Sequence, residues 1–192
     1  MDWAMPGTGS EAHMREVEVM NQSAFTWSVV IAGALAAWAV TFLLTLLGAG
    51  IGLAVSSPYA TSSTAMNIGG ALWLVFAQTA GFVTGGYLAA RLRIRDHIPG
   101  PETLFRDAAH GFMVWVIGVG ILAFVIGVAG ASASSGTSGS VSDAAKQAAA
   151  YISFWSFIAL LFGAVAAPLA GMLGGELRDD EPAPRRGVRR RA

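Results

Sequence analysis

The chain contains no cysteine, which excludes disulfides, thiolate metal centres and a cysteine nucleophile together. Charge is scarce too. Asp, Glu, Lys and Arg make up 12% of the 192 residues, about half the share expected of a soluble domain. The scarcity is uneven: no charged residue lies between Glu18 and Arg91, between Asp107 and Asp143, or between Lys146 and Glu176. A water-soluble fold has no use for three such stretches. A basic start is missing as well. The first twenty residues hold Asp2, Glu11, Glu16 and Glu18 against Arg15, so no secretory signal is expected there.

Apolar residues fill the gaps, at 54% of the chain. A helix needs about 20 apolar residues to cross roughly 30 Å of hydrocarbon. Four stretches meet that length, at about 25–53, 68–90, 108–130 and 151–175. The expected fold class is therefore an all-α integral membrane protein with four transmembrane helices. The first span, at about 1.5 Å per residue, is ~43 Å long and should tilt or protrude. Pro168 removes a backbone donor inside the fourth, where a kink near 163–167 is expected. Ser142 precedes DAAKQAAA, which places the start of the fourth helix outside the bilayer.

The basic residues set the orientation. Arg91, Arg93, Arg95 and Arg106 lie between the second and third spans. Arg178, Arg185, Arg186, Arg189, Arg190 and Arg191 follow the fourth, and Arg15 precedes the first. The opposite loops hold Lys146 alone. This bias places both termini and the middle loop in the cytoplasm. The opposite loops, SSPYATSST and SASSGTSGSVS, are irregular and solvated in composition. Residues 1–24 read as a cytoplasmic segment, and 176–192 as a disordered arginine-rich tail.

The two halves resemble each other. Trp73 and Gly81 have counterparts of equal spacing in Trp155 and Gly163, and GGYLAARLR (85–93) resembles AGMLGGELR (170–178). Duplication of a helical hairpin would give two parallel repeats about an axis along the membrane normal.

Several residues invite a role. Gly81 with Gly85, and Gly171 with Gly175, form GxxxG pairs. Gly163 extends the second row, and Gly48 and Gly52 crowd the end of the first span. Small residues let helix backbones approach closely. Packing within the chain is the plainer reading and a self-association surface the sharper one. Gln78 falls roughly 15 Å into the second span, where an unpaired amide is costly. An interhelical hydrogen bond to Thr41 or Thr45 is expected, with a ligand or water contact as the alternative. Trp38 is similarly deep and reads as core filling, a lipid or pigment contact being the rival, whereas Trp27, Trp73 and Trp155 fall at interfaces. Asp107 and His110 share a helix face where the third span begins. A proton or half a metal site is conceivable there, but His13 and His97 are the only other histidines. Asp107 has an ordinary explanation in the dipole of a helix start. Arg91, Arg93, Arg185 and Arg186 are placed for lipid-headgroup contact.

The blocks W-x-x-x-x-A-G (27–33), LLTLLGAGIGL (43–53), IGGALW (68–73), GGYLAARL (85–92) and HGFMVW (110–115) together resemble a family of uncharacterised proteobacterial inner-membrane proteins often labelled "PhnA-like". The resemblance covers roughly residues 25–120. It implies a bacterial inner-membrane location and makes the Gly-rich end of the first span, the Arg91 exit and His110-Gly111 family features, but it implies no activity. No Ser/His/Asp set lies within the spans, and no cofactor, metal or nucleic-acid partner is expected. The expected function is a non-enzymatic scaffold, assembly factor or accessory subunit, with the lipid bilayer and a membrane protein or second copy as partners. The alternative is a small passive channel formed by an oligomer.

Overall fold

The computed structural model describes residues 26–55, 64–93, 101–134 and 142–180. It is all-helical there, with α1 (Trp27–Val55), α2 (Thr64–Arg91), α3 (Pro101–Ser134) and α4 (Asp143–Asp179). All four are long and apolar enough to cross a membrane. The chain is a four-helix membrane protein.

The last three helices overrun the expected spans, and the first is shifted by two residues. Ser142 caps α4, its side chain accepting from the Ala145 amide at 3.3 Å, so the helix starts at the Ser-Asp step that the sequence marks. It then continues without a break through Pro168 to Asp179. The larger difference is at α3, which begins at Pro101 rather than near residue 108. Proline suits a first helical position, where the missing amide would have had no partner. Glu102 supplies the acid of the first turn and pairs with Arg106 at 3.3 Å. Asp107 therefore lies in the second turn, and the helix-start dipole does not account for it.

Contacts follow the order of the two hairpins. In α1 against α2, Gly33 meets Gly85, Thr41 meets Gly81, and Gly48 meets Trp73, a descending and hence antiparallel register. In α3 against α4, Asp107 meets Gly171, Gly111 meets Ala167, and the Trp115 indole donates to the Leu160 carbonyl at 3.0 Å. The hairpins join through parallel pairs. Gly86 sits on the Ala167 carbonyl and Gly174 on the Tyr87 carbonyl, while Tyr151 Oη donates to the Asn67 carbonyl at 2.9 Å. Helix α2 touches the other three, whereas α1 and α4 do not meet among the described residues.

Small residues form the interior. Val30, Ala34, Ala37, Phe82, Ala89, Val114 and Ala167 make one buried cluster. Leu53 (77% exposed), Phe105 (72%) and Phe124 (72%) face outward. A bilayer rewards this arrangement, because lipid is as apolar as leucine and only close backbone approach adds dispersion. The glycine pairs expected from the sequence lie in contacts of this kind, and Gly33, Gly86, Gly111, Gly118 and Gly174 join them. Gly52 does not. Nothing lies within 4 Å of where its Cβ would be.

Candidate functional site

Two polar features stand out in the bundle. The first is a charged layer where the arginine-bearing ends of the helices converge. Asp107, 1% exposed, points from α3 toward the two other hairpin ends. Its Oδ1 accepts from Arg93 Nε at 2.9 Å, just beyond α2, and its Oδ2 from Arg178 Nη2 at 3.4 Å, in the last turn of α4. Arg178 also grips Asp179 through Nε at 2.9 Å. Its Nη1 donates to the Ala90 carbonyl at 2.7 Å, where it closes the C-terminus of α2. Two guanidiniums thus alternate with two carboxylates. The alternation keeps a buried ionic layer tolerable, since an isolated charge would keep its full desolvation cost.

Glycine makes the room. A Cβ on Gly175 would collide with the Asp107 carboxylate, and one on Gly171 with the Asp107 carbonyl. In the aligned repeats, Ala90 of α2 stands where α4 has Gly175, and Arg93 where α4 has Arg178. The corresponding arginines of the two hairpins therefore close on one aspartate.

His110, fully buried one turn further along α3, extends the layer to α1. Its Nδ1 lies 2.7 Å from the Arg106 carbonyl, and its Nε2 lies 3.3 Å from the Thr26 amide. A carbonyl can only accept and an amide can only donate, so the ring is the neutral Nδ1–H tautomer. It receives one of the amides that the start of α1 leaves without a helical partner. Through Asp107 and His110, α3 holds the ends of all three other helices.

These placements revise the expectations. Arg93 is 6% exposed and bound to Asp107, so it is not a lipid-headgroup contact. Arg91 is half-buried as the last residue of α2. Arg185 and Arg186 lie outside the described residues, as do His13 and His97. The bundle interior is not free of titratable groups, because His110 and Asp107 are inside it. No group of three or more His, Cys, Asp or Glu suited to a metal occurs among the described residues.

The second feature is a cavity of about 180 Å³ midway along the bundle, bordered by Trp38, Thr41, Phe42, Thr45, Gln78, Phe82 and Gly118. The structure thus brings Gln78, Thr41 and Thr45 together, but the expected hydrogen bond is not made. Thr45 Oγ1 donates to the Thr41 carbonyl within its own helix at 2.7 Å. Gln78 is 8% exposed, and its Oε1 has no partner among the described residues. A buried, unpaired acceptor of this kind costs about 1–3 kcal/mol. Trp38 is not core filling either. It is 39% exposed and stacks on Phe42 at 6.4 Å, forming the outer wall of the cavity. Trp73 instead points inward and donates to the Leu44 carbonyl at 2.8 Å.

The sequence signals differ for the two features. A single amide in an apolar run marks Gln78, whereas positive-inside counting treats Arg93 and Arg178 as solvated flanks and so passes over the ionic layer. The repeat alignment does pair those arginines. Compared with protein-family models, curated proteins and solved structures, the chain matches none.

Proposed function

We propose that this chain is a non-enzymatic scaffold or accessory subunit of a bacterial inner-membrane complex, with both termini and the arginine-bearing end in the cytoplasm. The observation that carries this reading is the division of its glycines. Toward the arginine end, Gly33, Gly81, Gly85, Gly86, Gly111, Gly171, Gly174 and Gly175 each meet a neighbouring helix. Toward the other end Gly48 still meets Trp73, whereas Gly50 and Gly52 of α1, Gly69 and Gly70 of α2 and Gly120, Gly127 and Gly130 of α3 have nothing within 4 Å. Glycine inside a helix costs about 0.5–1 kcal/mol relative to alanine. Within the described residues those seven gain no contact for that cost. Close approach of a partner's transmembrane helix supplies the missing contact, and the ionic layer keeps the platform rigid at its other end.

Photo-crosslinking in native membranes tests this. Probes replacing Leu53 and Ile126, next to Gly52 and Gly127, are expected to form protein adducts. A probe at Leu173, 57% exposed on α4, is expected to form lipid adducts. Lipid adducts from all three positions, with a monomeric protein in mild detergent, would contradict the proposal.

A further inference from the structure

The outer surface of the bundle has a fixed apolar length, and that length bears on the lipid around it whether or not the scaffold reading holds. At the level of the ionic layer each helix end presents one large apolar side chain outward. Trp27, Leu92, Phe105 and Leu177 are all more than half exposed. Leu92 still follows the course of α2, its amide donating to the Leu88 carbonyl at 2.9 Å. Toward the other end the outermost exposed aliphatic residues are Val55, Ile68, Val128 and Ile152.

These limits lie 28, 24, 23 and 25 residues apart on α1, α2, α3 and α4. At 1.5 Å per residue the four lengths are about 42, 36, 35 and 38 Å. Between the limits, every charged residue falls within one turn of the arginine-bearing end. The apolar girdle is therefore about 35–42 Å long, against roughly 30 Å of hydrocarbon in a typical bilayer.

A single helix absorbs such an excess by tilting. Here the helices are tied to one another along their length. Arg178 Nη1 donates to the Ala90 carbonyl at 2.7 Å near one end of the α2–α4 pair, and Tyr151 Oη to the Asn67 carbonyl at 2.9 Å near the other. Trp73 and Leu44 tie α2 to α1 at 2.8 Å, and Trp115 and Leu160 tie α3 to α4 at 3.0 Å. The bundle therefore tilts as a unit. Two helices side by side are about 20 Å across, so a tilt of about 35° that brings ~37 Å down to ~30 Å displaces one edge by about 12 Å. Tilting then moves the mismatch to the edges, where apolar side chains meet water. What remains is a thicker bilayer.

We propose that the lipid surface this protein fits is a bilayer of long acyl chains, thicker than the typical one. Long-chain lipids reach from the Trp27, Leu92, Phe105 and Leu177 belt to the far limits on every helix, and shorter ones leave part of the girdle uncovered.

The test reconstitutes the full chain in vesicles of dimyristoleoyl-, dioleoyl- or dierucoyl-phosphatidylcholine, each mixed with brominated dioleoyl-phosphatidylcholine. Bromine quenches the tryptophans, so relief of quenching gives the relative binding constant of each lipid. Binding is expected to rise with chain length, dierucoyl exceeding dioleoyl at least twofold. A second chain carries Ile51→Lys, Leu72→Lys and Phe124→Lys, three outward side chains at least half exposed. Each lies about four residues inside the far limit, so the girdle shortens by about 6 Å on three helices. In that variant the dierucoyl preference is expected to vanish. Strongest binding of dioleoyl by the native chain, or equal binding of all three lipids, would overturn the proposal. So would a dierucoyl preference that survives the three substitutions.

Discussion

At Asp107 two arginines from different hairpins meet one carboxylate, 2.9 Å from Arg93 and 3.4 Å from Arg178. Truncating a partner in a buried network leaves the remaining charges uncompensated, which typically costs 3–5 kcal/mol. Asp107→Ala is therefore expected to lower stability by about 3–5 kcal/mol, measured as the shift in an SDS-unfolding midpoint. Gly175→Ala tests the same contact from the other side. It forces a methyl group against the Asp107 carboxylate and is expected to cost about 1–3 kcal/mol. Gly52→Ala meets open space and should leave the isolated chain unchanged or up to about 1 kcal/mol more stable. His110→Ala is expected to lose about 1–2 kcal/mol, since the Thr26 amide loses its acceptor. At this scale the sequence is legible only in part. Gln78 announces itself as an amide in an apolar run. Arg93 does not, because a loop arginine near a membrane reads as solvated until the aspartate 14 residues on is seen to face it.

Among the elements, the apolar runs predict all four helices, and Ser142 marks the start of α4. Hydropathy does not mark the start of α3. It places that start near residue 108, because PETLFRD is too charged to count as a span, yet Pro101 and Glu102 make a good first turn. That difference of seven residues moves Asp107 from a helix start to a buried second turn. The joint between α2 and α4 depends on Gly86 against the Ala167 carbonyl, which also faces Gly111 of α3. Gly86→Ala is expected to destabilise by about 1–3 kcal/mol. The loss should appear as faster hydrogen exchange along both α2 and α4, since neither backbone can yield without disturbing the other.

For the molecule as a whole, the charge and hydropathy pattern predicts the four-helix membrane protein that the structure shows. The position of the ionic layer was not legible, because it depends on residues 14 and 71 apart converging in space. The bundle is tied by ion pairs at one end and toward the other by the Trp73–Leu44 and Tyr151–Asn67 hydrogen bonds. Cysteine-free sequence makes this easy to probe with single-cysteine variants and a lipid-permeable maleimide. Ala34→Cys, at the buried joint, is expected to stay unlabelled while Gly127→Cys reacts.

The claim that α3 clamps both arginine-bearing helix ends through Asp107 is tested most directly by paired double-mutant cycles in SDS unfolding, Arg93→Met with Asp107→Leu and Arg178→Met with Asp107→Leu. Contacting residues in a shared network couple by about 0.5–3 kcal/mol, so both cycles are expected to give more than about 1 kcal/mol. Additive losses in both, with coupling within about 0.3 kcal/mol of zero, would contradict the clamp.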